Sequence, residues 1–542
     1  MLKDSWKNND LDLLKEYCSS KNITSQTSIP FLSLHEVLSA LTHLKHSNTK
    51  DIHGLDANII RTSAPVIADT LTYIYNLCID KHYIPHIFKQ AKVIPIFKSG
   101  DSKNPSNYRP ISILSILSKP LEKHIQKHLL HHINKYNLVH PNQSGFREKH
   151  SCHTALTQMI DKWLININNN NLTGVVFVDF TKAFDIINHS LLLNKLKLYG
   201  FSKNTVQLIS SFLSDRRQSV CINTHISTPK AVKFGVPQGS ILGPLLFTLY
   251  INDLPLSLEA TCELFADDNS IHTNHPKVTV LNNYLQQNID KLIQWTELNH
   301  MRLNESKTKC MNITTRQKRQ NMSKNSFSVS VSGAKIEEVQ SHKVLGIMID
   351  NNLSWSQHLS FLCKKVSQKI FQLSKIKHFL NLHSRKLFFL AHIQSAIDYA
   401  STIWDSASAK CIKPLSRLYK RGLKLTMLKS SALNATDYKS IDILPLSLRF
   451  EYNKAVIMHK VVTGYSPPTI LNSFKINEKR HKHKIVLPLP RIDLFKSSLS
   501  YSGGLYWNNL PDFLKNINDI KNFKVQLKKY LFSKISKNYI HT

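Results

Sequence analysis

The chain lacks the features that would place it in a bilayer or outside the cell. No stretch approaches the ~18 consecutive apolar residues a membrane span requires. The opening MLKDSWKNND has no apolar core of the kind a secretion signal carries, so an intracellular protein is expected. Eight cysteines, at 18, 78, 152, 221, 262, 310, 363 and 411, form no CxxC pair. They read as reduced thiols rather than a disulfide framework or a zinc knuckle. Glycine is scarce at 14 residues, the 20 prolines are scattered, and no long linker or fixed-period repeat stands out. Acidic residues are also few: 36 Asp+Glu face 71 Lys+Arg, a formal charge of +35. Such a surplus fits a polyanionic partner, nucleic acid or an acidic membrane surface. A composition merely rich in Lys, Asn and Ile would produce the same excess, so charge alone decides little.

What is present suffices for folded cores. Hydrophobic residues make up 42% of the 542 and aromatics 9%, which excludes a wholly disordered chain. The length suggests three or four compact units. Up to about residue 90 the pattern is mostly helical, with Leu32, Leu34, Val37, Leu38, Leu41 and Leu44 mostly at helical spacing. The next region, about 91–350, mixes strands with helices. AKVIPIF (91–97), VVFVDF (175–180), CELFA (262–266) and KVLGIMI (343–349) read as strands. Helices are expected over 118–137, 240–254 and 280–299. This mixture argues for an α+β fold rather than a doubly wound sheet. From Trp355 the pattern turns helical, over 359–380, 384–401 and 413–428, and it becomes irregular around Pro467-Pro468 and LPLPR (487–491).

The residues that carry chemistry are carboxylates at strand ends. Asp179 closes an apolar strand in VVFVDFTKAFD, and Asp267-Asp268 follow another in LFADDNS. Two adjacent carboxylates concentrate negative charge, which is costly unless cations share it. Hard oxygen ligands of this kind suit Mg²⁺ or Mn²⁺. Three carboxylates converging from neighbouring strands would hold two such ions, an arrangement suited to phosphoryl transfer. An isolated Asp-Asp is usually an ordinary turn, so the surrounding sequence matters. FGVPQGSILGPLLF (234–247) is a Gly/Pro turn opening a buried helix, in which Gly235 and Gly239 permit close backbone approach and Gln238 offers a neutral amide. NYRPISI (107–113) sets Arg109 beside a proline-stiffened strand, suited to a triphosphate.

Taken in order, KVIPIFKSGD, NYRPISI, QSGFREKHSCHTAL, VDFTKAFD, GVPQGSILGP, FADD, LNESKTK and KVLGIMID resemble the blocks of a reverse transcriptase, more narrowly one of a non-LTR, jockey-like retrotransposon. Each block alone is a weak signal; eight in order are a strong one. HGLD (53–56) extends the resemblance upstream, and IDYASTIWDS, LPLSLRFEYNKAV and YSGGLYWNNLP extend it downstream.

The resemblance implies a right-hand polymerase: fingers, a palm with an antiparallel sheet, a helical thumb, and a mostly helical C-terminal region. Its expected divisions are 1–78 as a helical extension, 79–350 as the reverse transcriptase domain, 351–450 as the thumb-like region and 451–542 as a tail. It makes Asp179, Asp267 and Asp268 the catalytic carboxylates, which together with the Phe180 carbonyl would hold two Mg²⁺ ions, Mn²⁺ being an alternative. Phe184 would lie beneath the incoming sugar, where a ring excludes a ribose 2′-hydroxyl. Gln238 and Gly239 would meet the nascent base pair, and Lys98 and Arg109 the triphosphate, with Lys92 an alternative to Lys98. Lys307 would protonate the leaving pyrophosphate. Gln143, Phe146 and Arg147 would line the template path, and Gly346 would steady the primer end. Phe265 heading the FADD turn, where Tyr is common, keeps the ring and loses a hydroxyl. The implied partners are an RNA template, a DNA primer, their hybrid and dNTPs, with no membrane; nucleus and cytoplasm are the implied locations. Nothing in the sequence signals an oligomeric state. The start of the chain leaves no room for the endonuclease such proteins usually carry upstream, and no Cys/His knuckle or ribonuclease H carboxylate set stands out, so a fragment of a longer reading frame, a truncated copy or a gene model that missed its start is expected. A catalytically idle, nucleic-acid-binding relic of such an element is the alternative reading.

Overall fold

A computed structural model describes residues 11–322, 327–477 and 484–535. The opening segment, read above for the absence of a secretion signal, lies outside the described residues. Two compact units emerge. The first takes in 11–146, 178–269 and 288–305; the second takes in 147–177, 270–287 and the described residues from 306 onward. Among the described residues no helix is long and apolar enough to cross a membrane.

In the first unit, helices Leu34–Thr42 and Ala57–Asp80 start on side-chain caps. Ser33 and Glu36 form a reciprocal capping box, and Asp56 accepts from the Asn58 and Ile59 N–H groups. A twisted sheet follows, in the order Tyr108–Leu114, Gln90–Phe97, Arg216–Ile222, with short strands at its edge. The first pair is antiparallel and sets Ile96 opposite Arg109; the second is parallel. Its Arg109-bearing strand continues into helix Ser118–Lys135. Helix Gly243–Ile251 is apolar all round, and every one of its residues but Pro244 is buried, so it forms the unit's centre. One buried ion pair pins it. Lys195, from helix His189–Leu198, reaches Asp253 at 2.6 Å, and the Trp295 indole N–H donates to the same carboxylate. Burying two charges is tolerable here because Lys195 also donates to the Tyr250 carbonyl and to Asn299.

The second unit holds strands Glu337–Glu338, Lys309–Ile313, Leu172–Val178 and Asp268–His275 in that order within a sheet. All seven residues of Leu172–Val178 are buried, as a central strand requires. The last residue of that strand, and the first two of Asp268–His275, are counted with the first unit. The segment 343–349 was expected to be one strand. It is instead a hairpin, Ser341–Val344 paired antiparallel with Ile347–Asp350. Leu345 and Gly346 take φ of +44° and +86°, the left-handed pair that a two-residue hairpin turn needs, and the apolar residues on both sides hid the break.

The helical part begins with Ser356–Ile376 and includes Ala409–Met427, Leu446–Val462 and Ile520–Ser533. The three downstream motifs are packing devices within this unit. Asp398 of IDYAS takes a bidentate pair from Arg449 of LPLSLRFEYN, and Asn453 donates to the same carboxylate. Asp161 is buried in helix Cys152–Asn168 and accepts from the Leu499 and Ser500 N–H groups, both at 2.8 Å, just before YSGG. Burial pushes the Asp161 carboxyl up to about 6.

Candidate active site

The strand Leu172–Val178 delivers Asp179 at its end. The Asn304 N–H donates to the Asp179 carbonyl and the Thr181 N–H to the Arg302 carbonyl, both at 2.8 Å, so Phe180 and Leu303 face each other in an antiparallel bridge. The two hydrogen bonds of that bridge fall on the residues beside Phe180. Its own carbonyl takes part in neither.

The Asp267-Asp268 turn is held from behind. Strand Thr261–Phe265 ends at Ala266, whose φ of +56° turns the chain sharply. The segment 142–145 runs along this strand: Leu264 donates to the Asn142 carbonyl, and Ser144 donates back to the Leu264 carbonyl. Gln143 is 0% exposed, and its Oε1 accepts from the Gly145 N–H at 2.7 Å and the Ala266 N–H at 3.4 Å. A Cβ on Gly145 would lie 2.4 Å from the Ala266 nitrogen, so only glycine lets the strap approach this closely.

Asp268 reports the electrostatics of the place. Its carboxyl is pushed above the ordinary carboxylate range by burial and by the negative charges of Asp267 and Asp179. Lys98 and Arg109 act in the opposite direction. Three carboxylates and two finger cations therefore share one field, although 88 positions of sequence separate Asp179 from Asp267. Lys98 sits at the turn end of the hairpin whose second strand carries Arg109, its N–H donating to the Asn107 carbonyl at 2.9 Å. Among the described residues, no group of three or more His, Cys, Asp or Glu side chains is gathered so that it could hold a metal ion as it stands.

Phe184 is half-buried. Its ring stacks on Phe247 with centroids 4.2 Å apart and meets Phe146 edge-on at 6.5 Å. Its carbonyl accepts from Val236, which ties the aspartate-bearing segment to the PQG turn. That turn is fixed at several points. Ser112 donates its N–H to the Gln238 carbonyl at 2.8 Å, and His189 bonds the Gly235 carbonyl at 2.7 Å. A Cβ on Gly239, whose φ is +137°, would lie 2.1 Å from the Ser112 carbonyl oxygen. Gln238 Nε2 donates to Asp185 at 2.9 Å.

Two residues here escaped the sequence reading. Glu122, fully buried in helix Ser118–Lys135, accepts from Ser118 Oγ and from the Ile241 N–H, each at 2.8 Å. It thus anchors the chain between the PQG turn and helix Gly243–Ile251, and burial pushes its carboxyl up. Asp185 was read as part of a motif without a role of its own. Nothing in SKPLEKH marks Glu122, because its partner at the PQG turn, the Ile241 N–H, lies 119 positions away. Asp185, six residues after Asp179, carried a visible signal.

Of the residues singled out from the sequence, Asp179, Phe180, Phe184, Asp267, Asp268, Lys98, Arg109, Gln238, Gly239, Gln143 and Phe146 belong to the first unit. Phe146 is 55% exposed, in contrast to Gln143. Arg147, Lys307 and Gly346 belong to the second unit. There Lys307 is exposed in the turn ahead of strand Lys309–Ile313, and Gly346 packs beside Tyr399, whose hydroxyl donates to the Leu345 carbonyl at 2.5 Å.

Comparison with known proteins finds relatives over the region that holds these residues. Residues 97–349 match the family described as reverse transcriptase (RNA-dependent DNA polymerase). The chain is 30% identical over 362 residues to the RNA-directed DNA polymerase from mobile element jockey of Drosophila melanogaster, covering 64% of this chain and 38% of that protein. It is 26% identical over 427 residues to the probable RNA-directed DNA polymerase from transposon BS of the same organism, covering 76% and 46%. The probable polymerase from transposon X-element is 26% identical over 369 residues, covering 66% and 39%. The chain thus spans less than half the length of these relatives. The resemblance to non-LTR retrotransposon reverse transcriptases read from the motif blocks is borne out.

Proposed function

We propose, from the premise that residues 97–349 are a reverse transcriptase domain, that this chain is an RNA-directed DNA polymerase of a non-LTR retrotransposon. The observation that carries the proposal is the shared field at Asp268, whose carboxyl is raised by burial and then by Asp267 and Asp179, and lowered by Lys98 and Arg109. Opposed carboxylates and cations at one point suit a substrate that brings both metal ions and a triphosphate.

Asp179, Asp267, Asp268 and the Phe180 carbonyl form an all-oxygen donor set and would hold Mg²⁺ or Mn²⁺. When bound, two such ions make the primer 3′-hydroxyl a better nucleophile and neutralise charge on the phosphates. Every other part of the catalysis is placement by the chain. Lys98 and Arg109 meet the triphosphate oxygens, Arg109 with a planar fork suited to paired oxygens. The PQG turn, bonded to Ser112 and braced through Ile241 on Glu122, holds Gln238 against the nucleotide. The Phe184 ring, backed by Phe247, presents a wall that a ribose 2′-hydroxyl would strike. Gln143 supports the aspartate turn from inside, which leaves base stacking to Phe146. Lys307 supplies a proton to the departing pyrophosphate. Base pairing with the template selects the nucleotide. The lysine-rich helix Ser356–Ile376 grips the RNA–DNA hybrid through its phosphates, and affinity should fall steeply with salt. A family of this kind works in nucleus and cytoplasm. The intact carboxylate set does not favour the idle-relic alternative.

The test is extension of a DNA primer on RNA templates of defined sequence, with dNTPs and Mg²⁺, followed by sequencing of the product. The expected product is complementary to each template and depends on dNTPs rather than rNTPs. Untemplated addition, or equal use of rNTPs, would contradict the proposal.

A further inference from the structure

Gln238 could present either end of its amide to a nucleotide, because the terminal torsion of a glutamine side chain is broad and two-fold. The structure removes that freedom. Its Nε2 donates to Asp185 Oδ1 at 2.9 Å. An ionised carboxylate only accepts hydrogen bonds, so turning the amide over would set Oε1 against another acceptor. Asp185 is itself held from two sides. Its N–H donates to the Lys182 carbonyl at 2.8 Å, and its backbone is pressed against Gly235, where a Cβ would come within 2.6 Å of the Asp185 carbonyl oxygen. The pair lines a cleft of about 310 Å³ together with Lys182, Arg216, Phe234 and Pro237. Burial raises the Asp185 carboxyl, and the Gln238 hydrogen bond and Lys182 counter that rise.

We infer that Asp185 is a positioning residue that acts through Gln238. It fixes the amide so that Oε1 is turned away from Asp185, available to accept from a hydrogen-bond donor on the incoming deoxynucleotide. The inference rests on the polymerase reading above. Asp185 lies six residues beyond the first catalytic aspartate, on the segment that also carries Phe184, so one stretch of chain sets both the aromatic wall and the amide.

The experiment compares steady-state primer extension on an RNA template, with the four dNTPs and Mg²⁺, for wild type, Asp185→Ala, Asp185→Asn, Gln238→Ala and the Asp185→Ala/Gln238→Ala double variant. Thermal melting of each accompanies the kinetics. Removing a hydrogen bond to a charged group predicts a dNTP KM about tenfold higher for Asp185→Ala. The kcat should stay within roughly threefold, since the lost contact orients substrate rather than reacts. Asp185→Asn keeps an acceptor of the same size and should fall between the two, which also covers a failure of Asp185→Ala to fold. In the Gln238→Ala background, Asp185→Ala should change nothing further. Additive losses in the double variant, or an unchanged KM in both Asp185 variants, would overturn the inference and leave the polymerase reading standing. No extension by wild type would overturn both.

Discussion

At the scale of single residues, Asp268 links electrostatics to function. Its folded-state carboxyl binds a proton more tightly than the same group in an unfolded chain. The stability it contributes is therefore full below the unfolded value, about 3.9, and is lost as pH rises through the raised folded value. Above that value the ionised group opposes folding, a cost that a bound cation would relieve. Two outcomes follow for melting experiments at pH 7. Without divalent ions, Asp268→Asn should melt above wild type. Addition of Mg²⁺ should raise the wild-type melting temperature but leave that of Asp268→Asn little changed, and EDTA should reverse the wild-type gain. Equal Mg²⁺ responses in the two proteins would remove the cation from these carboxylates. Asp179, Asp267 and Asp268 were legible in the sequence because a strand end and an Asp-Asp turn are local patterns. Glu122 and the Lys195–Asp253 pair were not. Each is an ordinary charged residue of a helix or a turn until the fold buries it.

At the scale of elements, the PQG turn shows how a short loop becomes rigid. The Ser112 amide and the Glu122 carboxylate, from a strand and a helix distant in sequence, each take a bond from or give one to this loop, and glycine at 239 lets the Ser112 carbonyl sit where a side chain would be. Gly239→Ala must move the turn away from that carbonyl, and its φ of +137° strains any side chain as well. A displacement on the order of 1 Å at a substrate-positioning group costs about a hundredfold. Primer extension by Gly239→Ala should fall by about that factor, with circular dichroism close to wild type; near-normal extension would show that the turn does not position the nucleotide. The strand and helix elements were largely readable, since apolar runs and helical spacing marked Gln90–Phe97, Leu172–Val178 and Val278–Leu298. The hairpin at 341–350 was not. Its turn is a Leu-Gly pair inside an apolar run, and the expected polar punctuation is missing.

At the scale of the whole chain, the motifs divide by what they do. The blocks within 97–349 fall in the region that matches the reverse transcriptase family, whereas those downstream make contacts within the second unit. IDYAS pairs with LRFEYN through Asp398 and Arg449. The residues just before YSGG are capped by Asp161, 338 positions upstream of Leu499. The sequence showed that these motifs belong together but gave no hint of their contacts, because a motif's order along the chain does not encode which buried carboxylate will meet which amide. Strong charge excess was equally silent about place. The +35 surplus gains a place where Lys98 and Arg109 act on the Asp268 carboxyl.

The central proposal is that Asp179, Asp267 and Asp268 together make this chain a polymerase. Primer extension on an RNA template by wild type and Asp267→Ala, side by side with dNTPs and Mg²⁺, addresses it most directly. The account predicts templated DNA from wild type and none above background from Asp267→Ala, with both proteins binding the RNA–DNA hybrid alike. Equal extension by the two proteins would contradict the account.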